Sequence, residues 1–411
     1  MTPSIFISAG EASGELYGAL LAASLQHHLT PKGERAELWG MGGTRMAAAG
    51  VEIVVRSEDM AVMGFTEIVH HLPRIYREFH KLKRAIRARR PTVAVLIDFP
   101  EIHFHLAKEL HRLGVPVIYF VSPQLWAWKQ GRIRKVRKFI QRMLVIFPFE
   151  ESFYRERGVQ AEFVGHPLAD LPPPAVGREQ FAAENGLDSG KIWIGLLPGS
   201  RLKEIEANLP EMLEAAWSLI AIEPASAYPA ETCEFLIPLA PTLDAAQREV
   251  VMQMAENLGG GLPIRLVDDA RATLFHARAS VVASGTATVE AALIGNPFVV
   301  VYRVSRLTYA IARRMVKVPH VAMANLIAGK RVVPELIQDD FTAANIVQHL
   351  RRLLPDGPAR ESMKMELGAI REALHPAAGR DKDLGAIETV AAIVAREMEA
   401  AYPAAQEAAQ P

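Results

Sequence analysis

The 411-residue sequence lacks the marks of several protein classes. Its one cysteine, Cys233, excludes a disulfide framework and any metal site made of cysteines alone. The 46 basic and 46 acidic side chains give a formal net charge of zero, so bulk binding of nucleic acid is not expected. No apolar run reaches the roughly 20 residues of a membrane span. The chain does not start with a basic segment and a long apolar core, so we expect no secretory signal and a cytoplasmic protein.

Short apolar runs alternate with amphipathic stretches of helical length, which is the pattern of parallel α/β folds. After Val304 the sequence is expected to be mostly helical. The predicted strands are Ser4–Ser8, Val51–Val55, Val93–Phe99, Val117–Val121, Met143–Phe147, Glu162–Val164, Ile192–Leu197, Cys233–Pro238, Ile264–Val267, Ser280–Ala283 and Phe298–Tyr302.

The pattern predicts two doubly wound domains. Three consecutive prolines after Leu171 cannot continue a helix or a central strand, and they predict a stiff linker over residues 171–190. This linker would join an amino-terminal domain, residues 1–170, to a second domain, residues 191–360. Helices in residues 361–411 could cross back to the first domain. Ligands of such folds bind at the carboxyl ends of the strands, here in a cleft between the domains.

The segment SGTATVE, Ser284–Glu290, follows a predicted strand and opens an apolar helix. Such a turn directs free backbone amides, the Ser284 and Thr286 hydroxyls and the positive end of a helix dipole at one point, which suits a diphosphate. Glu290 would lie one turn into the helix, where its carboxylate could accept two ribose hydroxyls. The alternative is an ordinary serine or threonine helix cap.

A second turn, LLPGSR at Leu196–Arg201, also follows a predicted strand. Gly199 permits close approach of the backbone, and Arg201 offers a bidentate cation for a phosphate. The alternative is a Pro-Gly turn with a surface arginine. Because both turns end strands of one predicted domain, together they predict a site for a nucleoside diphosphate.

Asp98 ends the apolar run TVAVLIDF in the first half of the chain. Its carboxylate should lie at the end of a central strand, where it could act as a general base toward a sugar hydroxyl. The alternative is a helix cap beside Pro100. Two further segments are compatible with loops lining a cleft or with plain tight turns, and neither has the GxGxxG spacing. The residues selected from them are Gly10, Glu11, Ser13, Gly14, Met41 and Gly42.

No metal site is predicted. The 13 histidines never show HExxH spacing, and no DxD motif stands in a transferase context.

Two segments are strongly basic although the whole chain is neutral. Residues 74–90 hold eight lysines and arginines and one acid, and residues 130–142 hold six basic residues and no acid. The first has apolar residues at helical spacing, so it predicts a basic amphipathic helix. Its basic face is either simply solvated or docks on an anionic membrane leaflet. The predicted docking residues are Met63, Phe65, Ile68, Val69, Leu72, Arg84 and Arg87.

An ordered set of motifs resembles the lipid-A-disaccharide synthase family over nearly the whole chain. The combination of SPQLWAW with IDFP is the most specific part of it. The motifs are SAGEASGE (Ser8–Glu15), GMGG (Gly40–Gly43), MGF (Met63–Phe65), IDFP (Ile97–Pro100), VSPQLWAW (Val121–Trp128), FPFE (Phe147–Glu150), VGHPLAD (Val164–Asp170), LLPGSR (Leu196–Arg201), SGTATVE (Ser284–Glu290) and NLIAGKRVVPELIQ (Asn325–Gln338).

The resemblance implies a GT-B fold of two facing Rossmann-like domains. It implies transfer of 2,3-diacylglucosamine from its UDP donor to 2,3-diacylglucosamine 1-phosphate, which gives the β(1→6) lipid A disaccharide 1-phosphate and UDP. No metal or other cofactor is expected. The implied partners are the acylated substrates and anionic lipids on the inner face of the inner membrane, with no nucleic acid, and the protein would be a monomer or homodimer.

The resemblance also implies roles for individual residues. Asp98 would be the base that deprotonates the acceptor 6-hydroxyl, and Arg201 would stabilise the departing diphosphate in place of a metal. Ser122 and Trp126, in VSPQLWAW, would join the acceptor loops. The donor-binding residues would be Gly199, Ser200, Arg201, Ser284, Gly285, Thr286, Glu290 and Asn325.

The sequence departs from the family pattern at a few positions. Where the family commonly has Asp-Phe-Asn after IDxP, this chain has Glu101, Ile102 and His103, and Glu15 replaces a usual aspartate. No role is carried over to His103.

Two other functions remain open at this point. One is a different GT-B enzyme, such as a UDP-N-acetylglucosamine epimerase or a peptidoglycan-type transferase. The other is a non-catalytic protein that binds anionic lipid or nucleic acid through its basic segments. The first would need no acyl-binding surface, and the second would leave Asp98 and Arg201 without a purpose.

Overall fold

A computed structural model describes residues 2–29, 36–60, 65–221, 231–305, 309, 318–376 and 384–407, with the backbone alone for residues 65–72 and 403–407. The chain divides into two compact units. The first unit comprises Met1–Asp170 and Leu374–Pro411, and the second comprises Leu171–Ala373.

The first unit is built on a parallel sheet with the strand order β3-β2-β1-β4-β5-β6-β7. Its central strands are fully buried, as expected where helices cover both faces. The strands are β1 Ser4–Ala9, β2 Glu37–Gly42, β3 Glu52–Arg56, β4 Val93–Ile97, β5 Val117–Phe120, β6 Arg142–Val145 and β7 Ala161–Phe163. The helices are α1 Ala12–Leu29, α2 Thr44–Ala48, α3 Phe65–Arg89, α4 Pro100–Arg112, α5 Ile133–Phe139 and α6 Pro148–Arg155.

The second unit has a parallel sheet of its own, with the strand order β10-β9-β8-β11-β12-β13. Its strands are β8 Ile192–Leu197, β9 Cys233–Pro238, β10 Ile264–Val267, β11 Ala279–Ala283, β12 Phe298–Tyr302 and β13 Glu335–Ile337. Its helices are α7 Arg178–Asn185, α8 Leu202–Ala221, α9 Ala245–Gly259, α10 Ala270–His276, α11 Thr286–Ile294, α12 Met323–Ala328, α13 Ala343–Leu353 and α14 Pro358–Leu374.

The last helix, α15 (Ala386–Glu407), belongs to the first unit. It packs on α1 and β4, and Val390 and Val394 are fully buried. At its start the backbone N–H of Ala386 donates to Asp170 over 2.6 Å. The first unit is therefore assembled from the two ends of the sequence.

Each sheet has one point where the strand order reverses. It lies between β1 and β4 in the first sheet and between β8 and β11 in the second. The loops on the two sides of such a switch point run in opposite directions, which opens a crevice at the carboxyl ends of the strands. The four loops that follow β1, β4, β8 and β11 are therefore where ligands are expected.

Two of the strands in the described residues were not predicted from the sequence. β2 contains Gly40 and Gly42 of GMGG, which was interpreted as a loop, but a Cβ at Gly40 would lie 1.9 Å from the carbonyl oxygen of Ile7. Glycine is thus what allows β2 to approach β1 here. β13 has three residues after Pro334, too few to show an alternating pattern.

The segment predicted as a linker, residues 171–190, lies within the second unit and contains α7. The Phe181 side chain packs on Trp193, with 5.9 Å between ring centroids. The Arg178 guanidinium donates to the carbonyl oxygens of Ser189 and Lys191. After the prolines, the chain is therefore fixed to the second unit by packing and hydrogen bonds. α14 also belongs to this unit, apart from its last residue.

Candidate active site

The loops after β1 and β4 fit together at the switch point of the first sheet. Phe99 begins the turn into α4 in the left-handed conformation, and its ring lies against Gly10 in the loop after β1. A Cβ at Gly10 would lie 2.2 Å from Cδ1 of that ring, closer than any side chain can come. Gly10 is therefore required for packing between the two loops rather than for a turn.

Asp98 also has the left-handed conformation, with φ of 52°. This conformation costs a residue with a Cβ about 1 kcal/mol or more, so it needs compensation. The Asp98 N–H donates to the carbonyl oxygen of Phe120 over 3.0 Å. Its own carbonyl oxygen accepts from the Tyr119 hydroxyl at 2.6 Å and from Nδ1 of His103 at 2.5 Å. Three hydrogen bonds thus fix the backbone of this residue.

Burial determines the protonation of the two side chains that hold Asp98. His103 is fully buried, and burial lowers its pKa to about 3. Tyr119 is also fully buried, and burial raises its pKa well above 10. Both side chains are therefore neutral hydrogen-bond donors to Asp98 at physiological pH.

The Asp98 carboxyl is partly buried, and burial raises its pKa to about 7. The negative charges of Glu11 and, more weakly, Glu101 contribute to this raised pKa, while a hydrogen bond from the Phe99 amide acts in the opposite direction. A carboxylate of this basicity can take a proton from a hydroxyl far better than one with an ordinary pKa near 4.

The side chain of Glu150, which is 1% exposed, holds the VSPQLWAW loop through hydrogen bonds. One carboxylate oxygen accepts from the Ser122 hydroxyl at 2.6 Å and from the Trp126 indole at 3.0 Å. The other accepts from the backbone N–H of Phe147 at 3.1 Å. Ser122 and Trp126 therefore hold the loop in place through their hydrogen bonds to Glu150. Burial raises the pKa of Glu150 to about 7.

The other residues predicted to line this site differ in exposure. Glu11 is exposed, Ser13 is half-buried, and Gly14 and Met41 are buried. Gly42 lies under Met46, since its Cβ would be 2.4 Å from the sulfur. Among these predicted residues, Glu11 offers the most exposed polar side chain.

Glu15 has a structural use. One of its carboxylate oxygens accepts from the backbone N–H of Arg45 at 2.7 Å and of Met46 at 3.4 Å. These amides belong to the first turn of α2, so Glu15 caps that helix from α1.

The predicted membrane-docking residues are only partly described. Met63 lies outside the described residues, and so do the side chains of Phe65, Ile68, Val69 and Leu72. The two predicted arginines differ. Arg84 is exposed, and no ion pair holds it within the described residues. Arg87 binds the buried Glu109, with 2.6 Å between Nε and Oε1, and this bond together with one from Lys83 lowers the pKa of Glu109 to about 2.

At the switch point of the second sheet, the turn after β8 is organised around Glu204. Its Oε2 accepts from the Ser200 N–H at 3.2 Å, and its Oε1 pairs with Nη1 of Arg201 at 3.2 Å. Gly199 has φ of 133°, and a Cβ there would lie 2.7 Å from Glu204. Asn208 fixes the same turn by donating to the carbonyl oxygen of Pro198 at 2.8 Å. Arg201 is thus oriented while its side chain stays half exposed.

The neighbouring turn after β11 exposes backbone amides. Ser284 donates its N–H to Val301 at 2.9 Å, and α11 then begins at Thr286 after an N-cap glycine, Gly285, that offers no capping side chain. Gly285 and Thr286 are exposed. This helix start can accept an anion.

Glu290 projects from the second turn of α11. Burial raises its pKa, and no hydrogen bond or ion pair holds its carboxylate within the part of the chain that the structure describes. Its oxygens are available to hydroxyl donors.

Asn325 has a different use from the one the resemblance implied. Its side chain is fully buried. The amide nitrogen donates to Val333 at 3.0 Å and to Glu335 at 2.8 Å, and the oxygen accepts from the N–H groups of Val332 and Val333 at 2.7 and 2.9 Å. These four hydrogen bonds join α12 to β13 and to the two valines that precede it, and they use all of the hydrogen-bonding capacity of the Asn325 side chain.

Four polar groups at these sites had no role in the sequence-based prediction: His103, Tyr119, Glu150 and Glu204. Tyr302 is a fifth, because it ends β12 close to Arg201 and Glu204, whose charges act on its pKa. A histidine or tyrosine in an apolar segment gives little sign of a partner at a distant position. Only the FPFE motif drew attention to Glu150.

Within the described residues, no three histidine, cysteine, aspartate or glutamate side chains are grouped so as to hold a metal ion. Over the same residues, no helix has the length and apolar character needed to span a membrane.

Comparison with known proteins identifies close relatives. The family profile described as lipid-A-disaccharide synthetase matches residues 5–386. The lipid-A-disaccharide synthase of Acidobacterium capsulatum is 59% identical over 381 residues, covering 90% of this chain and 92% of that protein. That of Koribacter versatilis is 50% identical over 384 residues, covering 93% and 95%. The solved structure of the kitacinnamycin glycosyltransferase shares the fold, with a TM-score of 0.61 at 16% identity, covering 96% of this chain and 99% of that one.

Proposed function

This chain belongs to the lipid-A-disaccharide synthase family, and from that premise we propose how its residues carry out the transfer. The family joins two acylated glucosamine units into the lipid A disaccharide, with UDP-diacylglucosamine as the donor. The chain is accordingly a hexosyltransferase with two Rossmann-like domains of the GT-B type. The resemblance and the fold class predicted from the sequence are both confirmed.

In this proposal Asp98 is the general base. Its carboxylate takes the proton from the 6-hydroxyl of 2,3-diacylglucosamine 1-phosphate as that oxygen attacks the anomeric carbon of the donor. The bond from that carbon to the diphosphate oxygen breaks, and UDP leaves with the bonding electrons. Attack from the face opposite UDP inverts the anomeric configuration and gives a β(1→6) link. The observation that carries the assignment is the Asp98 carboxyl itself, fixed at a switch point with a pKa of about 7.

The UDP group is assigned to the two turns at the second switch point. Arg201, oriented by Glu204, would bind the diphosphate, and the exposed N–H groups of Gly285 and Thr286 would donate to its oxygens. The Ser284 N–H donates to Val301, so Ser284 would contribute its hydroxyl. Glu290 would accept the ribose hydroxyls, because its carboxylate is uncommitted among the described residues. With the leaving charge held by an arginine and backbone amides, the reaction would need no divalent metal.

Docking to anionic lipid on the inner face of the inner membrane is assigned to α3. Both substrates carry acyl chains, so the enzyme must reach them at a lipid surface. The inner side of α3 is fixed by the buried Leu82 and Ile86. Its outer side presents Arg84 and, 67% exposed, Tyr76, a combination of cation and aromatic ring that suits a membrane interface.

One assay tests the reaction and the proposed absence of a metal requirement together. UDP-2,3-diacylglucosamine and 2,3-diacylglucosamine 1-phosphate are dispersed in detergent with the protein and a strong chelator, and the products are weighed by mass spectrometry. We expect a disaccharide 1-phosphate and UDP. Product that forms only after Mg²⁺ is returned would overturn metal independence. Asp98→Asn should form no product, and turnover by this variant would remove Asp98 as the base.

A further inference from the structure

The backbone carbonyl of Asp98 accepts hydrogen bonds from side chains on two different elements. Tyr119 reaches it from β5, and His103 reaches it from α4. Both side chains are fully buried. One donor is enough to pair a buried backbone carbonyl, so the second donor here exceeds what burial of this carbonyl requires.

The position of this carbonyl explains why it needs partners. The register of β4 with β5 ends at Ile97, opposite Phe120, and the N–H of the next residue, Asp98, still donates to the Phe120 carbonyl. The φ of 52° at Asp98 then turns its carbonyl out of the ladder. Tyr119 and His103 replace the lost sheet partner, and they do so only while Asp98 keeps this conformation.

Ser8 in turn holds the imidazole of His103. The His103 ring is neutral, and its Nδ1 faces a carbonyl oxygen, which can only accept. Nδ1 therefore carries the proton, and Nε2 accepts from the Ser8 hydroxyl at 2.9 Å. This fixes both the tautomer and the ring plane, as the partner of a functional histidine does elsewhere.

We propose that Ser8, His103 and Tyr119 are positioning residues that aim the Asp98 carboxyl by clamping the carbonyl of the same residue. The inference rests on the proposed role of Asp98 as the base. None of the three touches a reacting atom. Because the Asp98 N–H is held by Phe120, rotation about the N–Cα bond of Asp98 would move its carboxyl and its carbonyl together and would lift the Phe99 ring from Gly10. By holding the carbonyl, the clamp opposes that rotation and so keeps the carboxyl in place.

The departure from the family pattern at residue 103 fits this role. Nδ1 of histidine and Nδ2 of asparagine are the same number of bonds from the backbone, so either side chain can donate to the Asp98 carbonyl. Histidine adds a second nitrogen, which Ser8 engages. His103→Asn is therefore a rescue variant that keeps the clamp and removes only its support.

The test compares His103→Leu, His103→Asn, Tyr119→Phe and Ser8→Ala by steady-state kinetics, with thermal unfolding measured on each. We expect kcat to fall about tenfold or more in His103→Leu and Tyr119→Phe, because small displacements of a catalytic group have effects of this size, while KM for the UDP donor stays within about threefold. His103→Asn should retain kcat within about threefold of the unaltered enzyme. The loss of kcat in Ser8→Ala should lie between that of His103→Asn and that of His103→Leu.

A purely structural role would give another result. It would lower the midpoint of thermal unfolding in all four variants without separating kcat from KM, and His103→Asn would not recover kcat. Wild-type kcat in both His103→Leu and Tyr119→Phe, with Asp98→Asn inactive, would overturn the clamp and leave Asp98 as the base. An active Asp98→Asn would instead overturn the proposed function itself.

The pH dependence supplies a second readout for the same variants. The titratable groups around the Asp98 carboxyl are Glu11, Glu101, His103 and Tyr119, and the last two are neutral throughout the useful pH range. Loss of the clamp should therefore move the acidic limb of the kcat profile, since the freed carboxyl gains access to water. An unchanged limb in His103→Leu and Tyr119→Phe would contradict the proposal.

Discussion

The Phe99 ring packs so closely on Gly10 that no larger side chain fits at position 10 unless the ring moves. The Cβ that an alanine would place at Gly10 lies 2.2 Å from the Phe99 ring. We predict that Gly10→Ala displaces the ring, lowers the midpoint of thermal unfolding and lowers kcat about tenfold, because the Asp98–Phe99 turn moves with it.

The double variant Gly10→Ala/Phe99→Ala tests the contact directly. Removing the ring makes room for the new methyl group, so the second change should recover part of the unfolding midpoint that the first one lost. Strictly additive effects of the two changes would show that the contact does not matter.

The activity should rise with pH through about 7. A general base works in its ionised form, and the Asp98 pKa is raised to about 7, so protonation removes activity below that pH and leaves a plateau above it. Because the charge of Glu11 contributes to this raised pKa, Glu11→Gln should shift the acidic limb to lower pH. The measurement is kcat against pH, with the exposed Glu37→Gln as the matched control.

Arg201→Ala should weaken UDP binding and slow the transfer together, each about tenfold or more, since the side chain is assigned to the diphosphate in both the bound and the departing state. Isothermal titration with UDP and the transfer rate measure the two effects. The neighbouring Lys203→Ala is the control for loss of positive charge. Normal UDP affinity in Arg201→Ala would contradict the assignment.

Arg84→Glu should release the protein from anionic vesicles. Each basic residue near such a surface contributes about 1 kcal/mol, so reversing one charge should weaken vesicle binding about tenfold or more. Co-sedimentation with vesicles that contain an anionic phospholipid measures this. Arg371→Glu, an exposed arginine on a helix of the second unit, is the matched control, and equal loss in both variants would point to a nonspecific charge effect. Arg87 is unsuitable for this test because it neutralises the buried Glu109.

Glu150→Gln should destabilise the VSPQLWAW loop. The Glu150 carboxylate accepts all three of these hydrogen bonds, from Ser122, Trp126 and the Phe147 N–H. A glutamine would point its NH₂ group, itself a donor, at one of these donors and lose that bond. We expect a lower midpoint of thermal unfolding, measured by calorimetry, whereas Glu151→Gln on the same helix should leave it nearly unchanged.

The pH dependence of stability has a definite sign at Glu150. The folded-state pKa of about 7 is above the usual value of 4.5, so this group's contribution is fully present below pH 4.5. It is lost as the pH rises through about 7. The variant's deficit should therefore be larger at pH 5 than at pH 8, and the reverse order would contradict this account of its ionisation.

The sequence was sufficient to predict the α/β class and the position of Asp98 at a strand end, because apolar runs and the residues that end them are local signals. The family match then removed the epimerase and the non-catalytic binder as alternatives. Contacts between distant residues could not be predicted in the same way. Ser8 and His103 are 95 positions apart, and Ser122 and Glu150 are 28 apart, and in neither pair does the sequence show that the side chains meet.

The strand β2 was interpreted as a loop for a related reason, because it contains the glycines Gly40 and Gly42. Gly40 was interpreted from its own conformational freedom, whereas its purpose is to leave space for the backbone of β1. Asn325 is a similar case, since its position in a motif suggested a ligand contact but its surroundings use every polar atom. In both cases the three-dimensional neighbours determine what the residue does.

The return of α15 to the first unit has a consequence for synthesis of the chain. Glu397 binds Gln141 and Arg142 across 256 and 255 positions of sequence. On the ribosome, α1 and β4 must wait for the whole second unit to be made before α15 covers them, a delay of roughly tens of seconds at ordinary elongation rates. During that time the nascent chain exposes apolar surface from its earliest-made part. The first unit, although its synthesis begins first, is thus the unit whose last element is made last.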